Sequence, residues 1–294
     1  MTVAAIPVPA AGRIGRWWSW PFAVAVVTST MAGADAVTLV PPRGDDDGWY
    51  ARPTRSISGA ITRFDDRVCE IDGVRHRAID VLHAEPDAIT PEAATVLADP
   101  ADPVRELLIA LEQRPPVWWQ QILTAHAADD LMRTGRRREA YELIRQLDAR
   151  PLPPLVVMRL PVAWASDDAA DTHADEAAGL TSESPLVRLV AASRLADHPS
   201  HRSDARKSLA ELAAPGNRPM GRSTVHPMIR SAARAVQIRI VDATPLINDP
   251  GKVAAAVDRF PVLLRPAAAA SAADALERIG RDDESREMRL RAGP

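Results

Sequence analysis

The spacing of hydrophobic residues predicts helices over most of the chain after residue 86. Apolar side chains recur there every three or four positions, which places them on one face of an α-helix. Prolines and glycines separate the stripes, so we expect helices of about 10–18 residues that are joined by short turns and pack antiparallel. The clearest stripes are Val104, Leu107, Leu108 and Leu111; Trp119, Ile122, Leu123, Ala127 and Leu131; Ala140, Leu143, Ile144 and Leu147; and Ile229, Ala232, Ala233, Val236 and Ile240.

A period of two replaces the helical spacing between residues 57 and 85. Ile57, Gly59 and Ile61 alternate with polar or small residues, as in a half-buried strand. Asp72-Gly73 favours a tight hairpin turn. We expect a small three-stranded β meander that packs onto the helices, because so short a sheet folds poorly alone. Its predicted strands are 57–64, 68–71 and 74–82.

The first 36 residues have the three parts of a secretory signal. Arg13 and Arg16 supply positive charge, Trp17–Val27 is mostly apolar, and Ala34-Asp35-Ala36 places small residues at positions −3 and −1 of a cut before Val37. The apolar stretch is shorter than the ~20 residues that span a membrane, which favours a cleaved signal over a retained anchor. We therefore expect export to the periplasm, cell envelope or medium, with membrane contact only during export.

Residues 37–56 are predicted to form a flexible linker. They contain Pro41-Pro42, Gly44 and the acidic run Asp45–Asp47, a composition typical of loops. The predicted organisation is therefore a signal peptide at 1–36, a linker at 37–56, the meander at 57–85 and a helical-repeat domain at 86–294.

Composition excludes some classes of protein. The chain has 36 Lys and Arg against 39 Asp and Glu, a net charge of −3, which argues against a nucleic-acid binder that neutralises phosphates. Its single cysteine, Cys69, excludes an internal disulfide framework. Because Val68 and Ile71 flank it, we expect Cys69 to be a buried strand residue and not a reactive thiol.

Two segments of the helical region share one pattern without gaps. Its positions are Ala128, Asp129, Leu131, Arg133, Gly135, Arg136, Glu139 and Ala140 in the first segment, and Ala273, Asp274, Leu276, Arg278, Gly280, Arg281, Glu284 and Ser285 in the second. Each glycine stands where one helix must end in a left-handed residue before the next begins. The run Arg136–Arg138 is interpreted as a solvated turn between the two helices.

This pattern resembles the tetratricopeptide repeat. In that repeat a leucine-bearing helix is followed by Gly-Arg at the turn, and then by Glu-Ala at the start of a second helix. The match covers about 25 residues at each site, and the unit does not recur every 34 residues between them. A second similarity relates Pro185–Arg188 to Pro227–Arg230, 42 residues later, and resembles HEAT-type repeats. The resemblance implies a mainly α fold of antiparallel helix pairs, an α-solenoid whose neighbouring units supply each other's core.

The leading hypothesis for function is a non-enzymatic scaffold that binds another protein. Repeat arrays of this kind bind partners through the surface that their stacked helices create. Trp118 is the candidate surface anchor, because adjacent Trp119 lies on the apolar stripe and consecutive helical residues point about 100° apart. No Gly-x-Ser-x-Gly elbow or glycine-rich phosphate loop occurs in the sequence, and we predict no cofactor.

Two alternatives stay open. The first is a metal-dependent hydrolase that uses His76, Asp80 and His83; their spacing would bring them together on a helix but spreads them along a strand. The second is a binder of cell-wall glycans that uses exposed Trp49, Trp118 or Trp164.

Overall fold

The structure is a computed structural model that describes residues 34–40, 54–98, 101–148, 151–166, 174–214, 225–240 and 250–293. Within these ranges the chain is mainly helical, with short strands near its start, so the predicted mainly α class is confirmed. The helices, together called the helical body, are α1 (Pro91–Leu97), α2 (Pro103–Glu112), α3 (Val117–Arg133), α4 (Arg137–Leu147), α5 (Pro154–Arg159), α6 (Ala174–Gly179), α7 (Pro185–Leu195), α8 (Arg202–Ala213), α9 (Pro227–Ile240), α10 (Pro250–Asp258), α11 (Arg265–Arg278) and α12 (Asp282–Ala292).

The strands form two small antiparallel sheets where the sequence predicted one meander. One sheet has the order β2-β1-β6 and the other the order β3-β4-β5. The strands are β1 (Asp35–Leu39), β2 (Arg55–Gly59), β3 (Ile61–Phe64), β4 (Val68–Ile71), β5 (Val74–Arg77) and β6 (Val81–Glu85). The hairpin at Asp72-Gly73 is confirmed, because β4 pairs with β5 across it.

Two breaks explain the difference from the predicted meander. The predicted first strand divides at Ala60, whose amide donates to the Asp72 carboxylate at 2.8 Å, so β3 starts a new sheet. The predicted third strand is interrupted by a 3₁₀ turn at Ala78–Asp80. The chain then continues as β6 alongside β1. Alternation of apolar and polar residues indicates a strand but does not indicate its pairing partner. Neither break could therefore be predicted from the sequence.

Strand β1 corrects the predicted linker and bears on the predicted signal. β1 is the central strand of its sheet, paired with β2 on one side and β6 on the other. Residues 37–39 and 55–56, which were assigned to the linker, lie in strands. The predicted cut before Val37 falls inside β1. Residues 1–33 of the predicted signal and residues 41–53 of the linker lie outside the described residues.

Helices of the body pack chiefly on their neighbours along the chain. Contacts join α1 to α2, α2 to α3 and α3 to α4, and then α4 to α7, α7 to α8, α8 to α9, α9 to α11 and α11 to α12. Helix α5 departs from this order and contacts α3, α9 and β6. None of the helices in the described ranges combines the length and apolar character that crossing a membrane requires.

Several helices begin with the same local device. Thr90, Asp102 and Ser184 each accept a hydrogen bond from the backbone amide three residues later. A proline follows each cap at the first helical position, where its missing N–H costs no hydrogen bond. The capping residue and the proline after it therefore determine where these helices start.

A continuous core joins the sheets to the helical body, as predicted. Phe64 of β3 packs against Trp118 of α3 with ring centroids 6.1 Å apart. Cys69 is fully buried in this core, and burial together with nearby Asp35 raises the pKa of its thiol to about 12. The prediction that Cys69 is a buried strand residue is confirmed. Leu108, by contrast, is 59% exposed although the stripe on α2 predicted it to be buried.

Asp35 ties strand β1 to two distant parts of the chain. Its carboxylate accepts hydrogen bonds from the amide of Ile61, at 2.8 Å, and from the amide of Asp87, at 2.9 Å. These partners are 26 and 52 residues away. One side chain therefore fixes where β3 begins and where the chain leaves β6.

We predict that Asp35→Ala lowers the free energy of unfolding by about 2–4 kcal/mol, because two amides lose a charged acceptor. Asp35→Asn keeps one carbonyl oxygen and should lose about half as much. Urea denaturation followed by circular dichroism measures both values. An Asp35→Ala variant as stable as the wild type would contradict the assigned role.

Candidate functional site

The two aligned segments form helical hairpins that close in the same way. Gly135 ends α3 at φ +80° and Gly280 ends α11 at φ +75°. The next amide turns back in both: Arg136 donates to the carbonyl of Leu131 at 2.8 Å, and Arg281 donates to that of Leu276 at 3.0 Å. This is the hydrogen-bond pattern of a Schellman cap. Positions that match in sequence are therefore equivalent in structure.

The arginine after each glycine pairs with the glutamate three residues later. Arg136 binds Glu139 at 2.7 and 2.8 Å, and Arg281 binds Glu284 at 2.7 Å. The hydrogen bonds from these guanidinium groups lower the pKa of both glutamates. Arg136 also reaches Asp102 before α2, at 3.2 Å, and lowers the pKa of that carboxyl. These partly exposed pairs orient the turns and add modest stability.

Small and apolar residues of the pattern bring the two helices of each hairpin together. Leu131 and Leu276 are buried, and so are Ala140 and Ser285 at the start of the second helices. The Ser285 hydroxyl donates to the carbonyl of Ala273 at 2.9 Å across the α11–α12 contact. The small side chain at this position permits that close approach.

A further pair recurs at the end of each first helix. Arg133 lies 3.7 Å from Asp129, and Arg278 pairs with Asp274 at the equivalent positions. Both pairs have the (i, i+4) spacing that joins side chains on one helix face. The alignment contained all four residues, but the sequence analysis assigned them no role.

The second of these pairs belongs to a larger cluster of charged and polar groups. Arg278 also binds Asp197 at 2.9 Å, and the Ser166 hydroxyl donates to Asp274 at 2.8 Å. Burial opposes the charge of Arg278, but Asp274 and Asp197 outweigh that effect and raise its pKa. The cluster joins α11 to the end of α7 and to the segment before α6.

Arg239 of α9 contacts the same cluster through its buried side chain. Its side chain is fully buried. It donates to the carbonyls of Ala163, Ala165 and Ser193 at 2.8, 2.7 and 2.6 Å. Its Nε also lies 3.3 Å from the Asp197 carboxylate. These bonds compensate the cost of burying the charge. The burial of Arg239 could have been predicted from the sequence, because Arg239 follows Val236 by three residues and so lies within the buried stripe of α9.

A second buried charge lies between α4, α6 and α7. Glu176 is completely buried, with Arg137 at 3.0 Å and Arg194 at 3.7 Å. Arg137 is only 26% exposed, so the interpretation of Arg136–Arg138 as a solvated turn is wrong for this residue. An acidic partner on a helix 39 residues downstream cannot be inferred from a local run of arginines.

The structure does not bring together the metal ligands of the alternative hydrolase hypothesis. His76 lies in β5, Asp80 in the 3₁₀ turn and His83 in β6. Asp80 pairs with Arg77 at 3.0 Å, and His83 pairs with Glu85 at 2.9 Å. Across the described ranges, no three His, Cys, Asp or Glu side chains are grouped so as to hold a metal ion.

The prediction of Trp118 as a surface anchor is wrong. It is only 4% exposed and packs between Phe64 and the adjacent Trp119. Phe64 of β3 contacts Trp118 on the side of α3 that the helix pattern left for solvent. Trp164 is half-buried between the core clusters, and Trp49 lies outside the described residues.

Sequence reasoning missed His126, which is half-buried on α3 near its contact with α5. Burial, together with the positive charges of Arg159 and Arg133, lowers its pKa from 6.5 to about 3. Burial also lowers the pKa of Arg159. On the β6 side, hydrogen bonding from His83 lowers the pKa of Glu85, and Arg159 adds to that effect. A histidine beside an alanine-rich stripe gives no sequence signal of this environment.

One open cleft of about 530 Å³ lies at the start of α7 and is lined by Arg145, Asp148, Ser182, Glu183, Ser184 and Pro185. Burial raises the pKa of Asp148, against the opposing hydrogen bond from Ser184. Two acidic side chains, Asp148 and Glu183, and one basic side chain, Arg145, line the cleft.

We predict that Gly135→Ala and Gly280→Ala each lower the free energy of unfolding by about 1 kcal/mol. No atom lies within 4 Å of an added Cβ at either position, so the loss arises from the left-handed backbone alone. Asparagine tolerates that conformation better, so Gly135→Asn and Gly280→Asn should lose less. Urea denaturation compares the four variants. Equal stability of the alanine variants and the wild type would contradict the shared cap.

We predict that His126 makes the protein less stable in mild acid. Below pH 6.5 the unfolded chain binds a proton at His126 that the folded chain excludes down to about pH 3. Its contribution is therefore complete above pH 6.5 and declines as pH falls, by about 1.4 kcal/mol per pH unit at most.

His126→Gln removes this contribution, so its stability should fall less steeply between pH 6.5 and 4 than that of the wild type. Urea denaturation at each pH tests the difference. Above pH 7 the two proteins should show parallel pH dependence, which serves as the internal control. Identical slopes in acid would contradict a lowered pKa of His126 in the folded protein.

Comparison with known proteins adds no relative from which to transfer a function. No protein-family profile, curated protein or solved structure matches the chain.

Proposed function

We propose that this chain is an exported helical-repeat protein that binds another protein through the surface of its stacked helices. The supporting observation is the shared closure of α3–α4 and α11–α12, with Gly135 and Gly280 in the same left-handed conformation. Helices between these hairpins contact their neighbours along the chain, as units that share a core do.

The side chains near both hairpin turns support a binding role over catalysis. Arg278 is engaged by Asp197 and Asp274, while Arg136 is engaged by Glu139 and Asp102. Such pairs hold helices in register and are not poised as an acid, a base or a nucleophile. The turns then act as rigid supports for the outer faces of the helices.

Exposed apolar side chains on the helical body provide candidate contact points. Leu108 of α2 is 59% exposed, Val117 of α3 is 48% exposed and Leu290 of α12 is 78% exposed. Isolated exposed apolar residues are common, so these positions serve as probes of a partner and not as a defined binding site. Burial of such apolar surface against a partner is favourable, by about 25 cal/mol per Å² removed from water.

Export is proposed from the N-terminal sequence. Arg13 and Arg16, the apolar stretch Trp17–Val27 and the following small residues have the order of a secretory signal. The partner would then be a protein of the cell envelope or the external medium.

The test places a photo-crosslinking amino acid at Leu108, Val117 or Leu290 in the producing cells. We expect a crosslinked species of discrete mass from at least one position. Val74 is the matched control, because it is 57% exposed but lies in β5, outside the helical body. Val74 should not give the same species.

Substitution gives a second readout on the same surface. If Leu108 yields the crosslink, Leu108→Ser should lower recovery of the crosslinked partner at least about tenfold, since an apolar contact is lost. Val74→Ser should leave recovery unchanged. Absence of any crosslinked protein from all three positions of the helical body would contradict the proposal.

A further inference from the structure

The start of strand β1 coincides with the region in which a secretory leader would be removed. The strand begins at Asp35, and its residues pair on both sides along the sheet. The Asp35 carboxylate accepts from the amides of Ile61 and Asp87. The five residues of β1, Asp35–Leu39, therefore belong to the folded unit.

The sequence offers two overlapping sites for a signal peptidase. Such enzymes require small residues at positions −3 and −1. Ala34-Asp35-Ala36 meets this requirement for a cut before Val37, and Ala32-Gly33-Ala34 meets it for a cut before Asp35. Sequence alone does not separate the two.

We propose that the mature protein begins at Asp35, through cleavage of the Ala34–Asp35 peptide bond. This inference rests on the export part of the proposed function. Hydrolysis adds water across the amide bond: the hydroxyl goes to the carbonyl carbon of Ala34, which becomes the carboxylate end of the leader. The nitrogen of Asp35 gains a proton and becomes the new ammonium terminus.

The later cut would damage the sheet. It would remove the Asp35 side chain and leave the amides of Ile61 and Asp87 without their acceptor. It would also remove Ala36, which pairs with Ser58 of β2 and Glu85 of β6. Only three of the five residues of β1 would remain, in the strand that holds β2 and β6 together.

The earlier cut leaves every one of these contacts in place. Ala34 precedes the strand, so its removal takes nothing from the ladder of β1. The peptidase acts on the extended chain during translocation, before β1 has paired. The first residue of the mature chain is then Asp35, which is also the first residue of β1.

The test is the N-terminus of the full chain produced in cells that export it, measured by intact mass and by sequencing of the first peptide. We expect a mature chain that begins with Asp35. A chain that begins with Val37, or at any other cleaved position, would overturn the proposed site while leaving export intact. Recovery of only the uncleaved chain would overturn this inference and the cleaved-signal part of the proposed function, and fractionation of the same cells would show whether the chain is exported.

Two substitutions separate the candidate sites, because each changes a position required by one cut alone. Ala32→Glu places a large charge at position −3 of the Ala34–Asp35 bond and should lower cleavage at least about tenfold. Ala36→Leu places a bulky residue at position −1 of the alternative cut, and its side chain is exposed in β1. It should leave cleavage before Asp35 unchanged; loss of cleavage in this variant would overturn the proposal.

Discussion

The fold depends on the close approach of alanine-lined helices. Helix α11 shows this most clearly, because all seven of its alanines are buried and the helix packs against α9, α10 and α12. An alanine side chain buries little apolar area, so each contact contributes little on its own. Close packing along the whole length of the helix has to supply the stability. A helix of this kind is marginally stable alone, and each relies on the helices against which it packs.

Buried charges then decide how the helices are arranged. Arg239 binds three carbonyls from the segments before α6 and within α7, and Glu176 lies between arginines of α4 and α7. A buried charge gains little net stability over an apolar side chain, but it is costly to leave unpaired. Alternative packings of similar alanine faces would leave these charges without partners. The ionic groups therefore select one register among several that apolar packing alone would allow.

Features that depend on neighbouring residues could be predicted from the sequence, and features that depend on distant residues could not. The turns at Gly135 and Gly280 follow from a local need for left-handed backbone, and the buried Cys69 follows from its position in a strand. The burial of Trp118 depends on Phe64, more than 50 residues earlier in the chain, and so escaped the helix pattern. The role of Asp35 likewise depends on Ile61 and Asp87. Helix periodicity also assumes one solvent face, an assumption that fails for α3, where most side chains are buried.

The burial of Cys69 has a consequence for the chain outside a reducing environment. A thiol with no exposed surface and a pKa near 12 provides almost no thiolate at neutral pH, so a folded molecule would resist oxidation and mixed disulfide formation. The same thiol becomes an ordinary reactive group as soon as β4 separates from its neighbours. Its rate of alkylation in the native protein thus reports how often the sheet β3-β4-β5 opens, without any label being introduced.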